Sequence, residues 1–216
     1  MRAIADLGRT DISSTVVPTR GARVALTRTR YSSHDQGPEA FVTEILSVTE
    51  MTNSDNRVAA QISFDVDDID SAVEELDARY LAGEAAAHTH TWSVIAGLYA
   101  GFNRRERPAT TPDFSYIDHR RVITIEATDP DLSAFICADW DLMPEISIYM
   151  EAVHRLSDLG VVVTHTARGV SHEDFDVEWR MINLFTADGN LISRCEMFDE
   201  ADLDAALARF EDLEPK

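Results

Sequence analysis

The stretch FDVEWRMINLFTADGNLISRCEMFDEADLDAALARF, residues 175–210, predicts two strands followed by a helix, with Asp188-Gly189 as the turn between the strands. A second stretch, FVTEILSVTEMTNSDNRVAAQISFDVDDIDSAVEEL at residues 41–76, agrees with it at a constant offset and without a gap. Such a repeat fixes the domain organisation before any other feature is read. The matched positions include Phe41 with Phe175, Glu44 with Glu178, Phe64 with Phe198, Asp65 with Asp199, Ala72 with Ala206 and Leu76 with Phe210.

The two copies differ in what precedes them. The second has a long lead-in from His88, whereas the first has almost none. We therefore expect residues 1–86 to be a truncated half copy, made of strands and a closing helix, and residues 87–216 to be a complete domain. In the complete domain the pattern predicts a helix, a strand, a helix, an antiparallel meander of four strands and a closing helix. That order is typical of an α+β fold with a curved sheet wrapped around helices.

The spacing of apolar residues predicts the secondary structure of individual segments. Residues 1–21 are weakly patterned and predict at most a short helical turn, whereas residues 23–31 alternate as a strand does. A helix with a broad aromatic face is predicted over residues 91–105. Another is predicted from Asp129-Pro130, with the apolar stripe Leu132, Phe135, Ile136 and Trp140.

Charge narrows the possible partners. The 216 residues carry a formal net charge of -20, which argues against nucleic acid or an anionic membrane surface as a partner. No apolar stretch approaches about 18 residues, and no basic flank precedes an apolar run at the N-terminus. Cys137 and Cys195 lack the spacing of metal ligands, and no Gly-rich phosphate loop is present. We expect a cytoplasmic protein without metal or cofactor.

Several short motifs carry a resemblance to a known family. They are Pro144-Glu145-Ile146, residues 154–158 (HRLSD), residues 161–163 (VVV), residues 188–192 (DGNLI) and residues 194–199 (RCEMFD). Together they resemble the SnoaL-like polyketide cyclases of the nuclear transport factor two-like superfamily. The resemblance covers residues 88–213 in full and residues 23–80 as a back half. The closing helix is also similar to the tails of large actinobacterial regulators.

This resemblance implies a cone-shaped, curved antiparallel sheet packed on helices, with an apolar pocket at its open end. Known members carry out isomerisation, cyclisation, dehydration or epoxide opening without metals, or only bind small molecules. Their catalytic acid on the last strand falls on Glu196, where Glu replaces the usual Asp. Apolar walls would raise the pKa of this carboxyl, as a general acid or base near neutrality needs. The expected pocket wall is Trp92, Tyr99, Phe102, Trp140, Met150 and Trp179.

Asp118 and His119 are the second pair of candidate catalytic residues. Adjacent strand residues point to opposite faces, so only one of the two can face the pocket. Glu178 and Arg180 lie two apart and share a face. They would form an acid-arginine-acid cluster with Glu196 or, as we favour, a structural salt bridge on the outer sheet face.

Two histidines and the truncation of the first copy give the remaining hypotheses. His154 and His165 occupy facing strands without the neighbours of a metal site. The favoured function is a small-molecule-binding or assembly module, in which the half copy covers the sheet of the full copy as an intrachain pseudo-dimer. A homodimer completed by a second chain is the alternative assembly. The alternative function is a cofactor-free isomerase, cyclase or hydrolase acting on a small apolar substrate through Glu196 with Asp118 or His119.

Overall fold

The structure is a computed structural model that describes residues 10–33, 40–52, 55, 57–121, 132–143, 145–170 and 175–214. The chain forms two compact units, Met1–Gly83 and Glu84–Lys216, called unit 1 and unit 2 below. Both combine strands with helices, so the predicted α+β class is confirmed. The boundary predicted after residue 86 falls inside a short 3-10 turn, Ala86–His88.

Unit 1 is a four-stranded antiparallel meander with one helix. Its strands are β1 (Thr10–Arg20), β2 (Val24–Ser33), β3 (Val42–Met51) and β4 (Val58–Asp65), and its helix is α1 (Ile69–Ala82). The strands lie in the order β4-β3-β2-β1. Helix α1 packs on one face of this sheet, and the buried core between them consists of Val24, Leu26, Leu46, Val48, Ala72 and Leu76.

Strand β1 corrects the prediction for residues 1–21, of which residues 1–9 lie outside the described part. From Thr10 onward the chain pairs with β2 along its length, from Thr10 opposite Ser33 to Arg20 opposite Val24. The run is rich in Thr, Ser and Val, which favour strands, but its hydroxyl side chains hide the apolar alternation. One of them, the Ser14 hydroxyl, lies 2.7 Å from the Thr29 hydroxyl on β2.

Unit 2 contains five strands and three helices in the described part of the chain. In order they are α2 (Thr89–Asn103), β5 (Thr110–Asp118), α3 (Leu132–Leu142), β6 (Ser147–Leu156), β7 (Gly160–Val170), β8 (Asp176–Asp188), β9 (Leu191–Asp199) and α4 (Leu203–Leu213). The strands lie in the order β6-β7-β8-β9-β5. The start predicted for α3 at residues 129–130 lies outside the described residues.

The sheet of unit 2 is mixed, which corrects the expectation of a wholly antiparallel sheet. Strands β6 to β9 form the predicted antiparallel meander. Strand β5, however, lies beyond β9 and runs parallel to it, with Tyr116 opposite Cys195. A parallel neighbour requires a long connection between the paired strands, and here helix α3 and the whole meander supply it.

Alternation along the strands divides the unit 2 sheet into two faces. One face packs on α4 through a buried cluster of Val162, Ile182, Leu184, Phe198, Ala206 and Phe210. The other face carries the odd-numbered residues of β7, β8 and β9 and packs on α2. Tyr99 of α2 hydrogen-bonds His165 of β7 and meets the edge of Phe185 of β8, with ring centroids 6.2 Å apart.

Strand register corrects the gap-free alignment of the two copies. Leu46 pairs with Phe64 across β3 and β4, whereas Ile182 pairs with Phe198 across β8 and β9. The gap-free alignment matched Leu46 with Arg180, two residues away from Ile182. The connection after Met51 is longer than the tight turn after Asp188, and this moves β3 by two residues. The half-copy relation of the units itself stays a prediction.

Helix lengths also bear on a membrane location. Over the described ranges of the chain, no helix combines the length and the apolar character that crossing a bilayer requires.

Candidate functional site

A cavity of about 640 Å³ lies on the α2 side of the unit 2 sheet. Side chains from α2, α3 and all five strands of the unit surround it. Most of them are apolar or aromatic, as is usual for sites that bind small organic molecules. Those used below are Tyr99, Phe102, Tyr116, Trp179, Phe185 and Met197.

Half of the predicted pocket wall lines this cavity. Tyr99, Phe102 and Trp179 do so. The other three, Trp92, Trp140 and Met150, are not part of the wall, which corrects the prediction. Trp140 packs behind Phe102, with ring centroids 5.5 Å apart, and Trp92 and Met150 are buried on α2 and β6 away from the lining positions.

Helix α3 contributes an acid that the sequence analysis did not single out. Leu132, Ile136, Asp139 and Met143 recur at helical spacing and all line the cavity. Within the described part of the chain, the Asp139 carboxylate has no hydrogen-bond partner. Burial raises the pKa of Asp139 to about 6, and the nearby Arg120 guanidinium opposes part of this rise. Asp139 therefore changes its charge close to neutral pH.

Asp118 and Arg120 form an ion pair at the end of β5. The Arg120 Nε donates to Asp118 Oδ1 at 3.0 Å, and its Nη2 donates to Oδ2 at 2.7 Å. The hydrogen bond to Asp118 raises the pKa of Arg120, so the guanidinium stays charged. Arg120 lines the cavity, whereas Asp118 lies behind it with its side chain only 6% exposed. Asp118 therefore positions the arginine and does not itself border the cavity.

The sheet supplies two further polar residues to the cavity. His165 accepts or donates a hydrogen bond with the Tyr99 hydroxyl at 3.1 Å. Burial, with a smaller effect of Arg120, lowers the pKa of His165 to about 4, so its ring is neutral at physiological pH. Asn183 is only 4% exposed, and its Oδ1 has no hydrogen-bond partner in the part of the chain that is described. The lining thus contains an unsatisfied amide oxygen.

Glu196 lies on the opposite side of the sheet from the cavity. Its neighbours Cys195 and Met197 line the cavity, so strand alternation directs Glu196 toward α4. The carboxylate is fully buried and accepts hydrogen bonds from Arg194 Nη1 at 2.9 Å and Arg209 Nε at 3.1 Å. His119 Nε2 lies 2.8 Å from its other oxygen.

This environment also reverses the predicted direction of the Glu196 pKa. Burial raises the pKa of Glu196, but hydrogen bonds from Arg209, His119 and Arg194 outweigh it and hold the pKa below its ordinary value. The prediction of a cavity acid with a raised pKa is therefore corrected in both placement and sign. A carboxylate held ionised by three partners stabilises the sheet under α4.

His119 shares this face with Glu196. Its ring stacks on Phe198, with centroids 4.4 Å apart and planes 19° from parallel. Of the adjacent pair, only Asp118 is thus on the cavity side. Arg121 continues the segment and donates to Asp202 at 3.3 Å, at the start of the last helix. The fold therefore places Glu196 and His119 next to each other, on the face of the sheet opposite to the cavity.

Glu178 and Arg180 belong to exposed ion pairs on the sheet. Arg180 donates to Glu151 at 2.6 Å and lies 2.9 Å from Glu178. Both are on the face opposite to Trp179, which lines the cavity. These contacts support the structural salt bridge over the acid-arginine-acid cluster.

His154 and His165 each form a hydrogen bond with a hydroxyl group. His154 Nε2 hydrogen-bonds the Thr164 hydroxyl at 2.7 Å, and His165 is bonded to Tyr99. Among the residues that the structure describes, no group of three or more His, Cys, Asp or Glu side chains is arranged to hold a metal ion.

Comparisons with known proteins give neighbours among solved structures. No family model matches this chain, and no curated protein matches it significantly. A protein from Jannaschia sp. CCS1 named as a SnoaL-like polyketide cyclase is 17% identical, with a TM-score of 0.42, over 60% of this chain and 96% of its own. A nuclear transport factor two-like protein of unknown function from Burkholderia pseudomallei is 16% identical, with a TM-score of 0.40, over 54% of this chain and 96% of its own.

A third neighbour, from Streptomyces galilaeus and named as a hydroxylase, is 12% identical, with a TM-score of 0.43, over 58% of this chain and 98% of its own. The similarity of the closing helix to actinobacterial regulators stays a prediction. Two of these three structures carry the names of the class that the motifs of this chain resemble, the SnoaL-like and nuclear transport factor two-like proteins.

Proposed function

We propose that unit 2 binds a small, mostly apolar molecule in its cavity. The observation that carries this proposal is a cavity of about 640 Å³ whose apolar walls enclose a few converging polar groups. This volume lies inside the range of about 300–1,000 Å³ that small-molecule sites occupy.

Polar groups on the cavity side are placed to orient a ligand. Arg120 is fixed by Asp118, and His165 is fixed by Tyr99. Asp139 lines the cavity, and Asn183 has an amide oxygen without a hydrogen-bond partner in the described part of the chain. A ligand with an apolar body and a polar group would fill the space and satisfy such atoms.

The test is the binding of N-phenyl-1-naphthylamine, a neutral probe that fluoresces in apolar sites. We expect it to bind the intact chain, and we expect Val177→Trp, which fills the cavity from β8, to weaken binding by about tenfold or more. Asp176→Trp is the matched control, because residue 176 is exposed and its strand neighbour points the other way. Equal binding by both variants would place the probe elsewhere and refute the proposal.

A second candidate function, acid-base catalysis, is favoured by Asp139. A carboxyl with a pKa of about 6 that borders an apolar cavity is poised to take up and release a proton near neutrality. Catalysis by Glu196 with Asp118 or His119 stays a hypothesis from sequence alone, and its geometry is less apt, because Glu196 faces α4. In this second candidate function, we therefore assign the acid-base role to Asp139.

Exchange of the α-protons of 2-tetralone for deuterium, followed by NMR, tests this second candidate. Catalysed exchange should rise as the pH passes about 6 and should fall by about a hundredfold or more in Asp139→Asn. Asp141→Asn, an exposed acid on the same helix, should exchange as the parent does. Exchange that survives Asp139→Asn would exclude this residue as the base.

The remaining parts of the functional hypothesis stay predictions. They are the assembly role of unit 1, a homodimer or intrachain pseudo-dimer, the cytoplasmic location and the lack of nucleic-acid partners. Size-exclusion chromatography with light scattering would decide the oligomeric state.

A further inference from the structure

The described lining of the unit 2 cavity contains one carboxylate, that of Asp139, and one arginine, Arg120, which is already paired with Asp118. The amide oxygen of Asn183, a lining residue that is 4% exposed, is buried and has no hydrogen-bond partner in the described part of the chain. The Asp139 carboxylate likewise has no hydrogen bond there. By contrast, two nitrogens of Arg120 donate to Asp118, and the Tyr99 hydroxyl is bonded to His165. A ligand that supplies donors would complete this pattern.

The ionised groups around the cavity leave a negative balance. Arg120 and Asp118 neutralise each other as a bidentate pair with contacts of 2.7 and 3.0 Å. Burial lowers the pKa of His165 to about 4, so it adds no positive charge. Above pH 6, Asp139 therefore adds a negative charge that the nearby Arg120, already paired with Asp118, offsets only in part. The formal net charge of -20 on the whole chain adds a long-range attraction for cations.

Aromatic rings form much of the wall around these acceptors. Five of them line the cavity: Tyr99, Phe102, Tyr116, Trp179 and Phe185. The faces of such rings attract a cation that lies within about 6 Å of the ring centroid. An aromatic enclosure with one carboxylate suits a positively charged group attached to an apolar body.

We infer that the ligand of this cavity is a protonated amine with an apolar body, whose N–H groups bind the Asp139 carboxylate. This inference rests on the proposed function, since it names the chemical class that the same cavity takes. An anionic ligand would have to displace Asp118 from Arg120 and would face Asp139 as well. A neutral ligand would add no counter-charge for the carboxylate.

Of the lining groups in the described ranges whose pKa shifts are given above, Asp139 alone changes charge between pH 5 and pH 8. The other titratable groups that line the cavity in these ranges are Tyr99, Arg120, Tyr116, His165 and Cys195, with Asp118 behind Arg120. Burial raises the pKa of Tyr116 and of Cys195, which keeps both neutral in this range. Amine binding is therefore expected to weaken as the pH falls below about 6, where Asp139 becomes protonated.

The experiment compares three probes that share one apolar body. They are 1-naphthylmethylamine, 1-naphthalenemethanol and 1-naphthoic acid, each titrated calorimetrically into the intact chain at pH 7.5 and pH 5. At pH 7.5 the amine should bind about tenfold or more tightly than the alcohol, and the acid should bind most weakly. At pH 5 the preference for the amine should shrink by up to about tenfold, because the amine stays charged while Asp139 does not.

Variants then assign the preference to a residue. Asp139→Asn should reduce amine affinity to that of the alcohol at pH 7.5 and should leave alcohol affinity within about threefold. Asp141→Asn, the exposed acid two residues further on α3, should keep the full preference.

Other outcomes separate the two proposals. Equal binding of amine and alcohol, unaffected by Asp139→Asn, would overturn the amine inference and leave the binding function intact. Tightest binding of the acid would make Arg120 the recognising group and would also overturn the inference. No binding of any probe, together with no effect of Val177→Trp on N-phenyl-1-naphthylamine, would overturn both.

Discussion

Unit 1 and the meander of unit 2 share a helix-side core but differ on the other face of their sheets. On the helix side, Leu46 and Val48 occupy the same positions in the strand pairing of unit 1 as Ile182 and Leu184 occupy in that of unit 2. Every one of these four is at most 2% exposed. Below the sheet, Ala72 and Leu76 of α1 are buried as Ala206 and Phe210 of α4 are.

The opposite faces carry different chemistry at equivalent positions. Ser47 of unit 1 occupies the ladder position of Asn183, and Thr29 occupies that of His165. The unit 1 hydroxyls are satisfied, since Ser47 bonds Ser63 at 3.3 Å and Thr29 bonds Ser14 at 2.7 Å. In unit 2 the same face borders a cavity and contains an orphan acceptor. At these matching ladder positions, the described residues thus form hydroxyl pairs in unit 1 and the wall of a cavity in unit 2.

The largest test of the shared core is truncation of its central side chains. Phe210→Ala should lower the free energy of unfolding of unit 2 by about 4 kcal/mol, and Leu76→Ala should cost unit 1 about 3 kcal/mol, because both leave buried cavities. Trp92, Trp140 and Trp179 all lie in unit 2, so fluorescence reports that unit and circular dichroism reports both. A loss below about 1 kcal/mol for Phe210→Ala would contradict its central place.

Gly160 lies at a ladder position where the two units carry different residues. Val24 occupies the equivalent position in unit 1, but a Cβ on Gly160 would lie 2.0 Å from the Phe185 carbonyl oxygen. Gly160→Ala should therefore cost about 3 kcal/mol, measured by urea unfolding. Gly97→Ala is the control, since its Cβ would meet nothing within 4 Å and alanine favours the helix. Equal stability of the two variants would show that β8 shifts to accommodate the Cβ without a loss in the free energy of unfolding.

Glu196 stands where unit 1 has Ile62, both opposite an apolar residue of the neighbouring strand. Glu196→Gln should lower the free energy of unfolding of unit 2 by about 2 kcal/mol at pH 7. This loss is smaller than that expected for a wholly buried ion pair, because the partners of Glu196 are partly exposed. Glu178→Gln, in an exposed pair, should cost within about 0.5 kcal/mol.

The pH dependence of this variant has a definite sign. Because the folded-state pKa of Glu196 lies below its ordinary value, its contribution is complete above about pH 4.5 and is lost as the pH falls through the folded pKa. The stability difference between the parent and Glu196→Gln should thus shrink under acid conditions. A difference that stays constant down to pH 3 would contradict the ionic role.

The smallest effect concerns the orphan oxygen. Asn183→Leu should stabilise unit 2 by about 1 kcal/mol, because an apolar side chain removes a buried unsatisfied acceptor. Ser47→Ala at the equivalent position should instead cost about 0.5 kcal/mol, since it removes a hydrogen bond. Thermal unfolding measures both. Destabilisation by Asn183→Leu would mean that the amide is already satisfied and would weaken the case for a ligand at this atom.

Periodicity predicted most elements, but the faces of β8 and β9 were not predictable in the same way. Apolar residues occur on both faces of β9, with Cys195 and Met197 on one and Phe198 on the other. The sequence around Glu196 therefore does not indicate which face of β9 borders the cavity. Asp139 did carry a signal, because it continues the stripe of Leu132 and Ile136 at helical spacing. Its charge obscured that pattern.

The parallel pairing of β5 with β9 has a consequence for synthesis on the ribosome. Ser115 pairs with Arg194, about 80 residues later, and in the described sheet β9 is the only neighbour of β5. Strand β5 must therefore wait, after it emerges, until nearly the whole chain has been translated. During that interval the wall that includes Tyr116 is incomplete and its apolar surface is open to other chains. A nascent chain that stalls before residue 191 would consequently be a natural client for a chaperone.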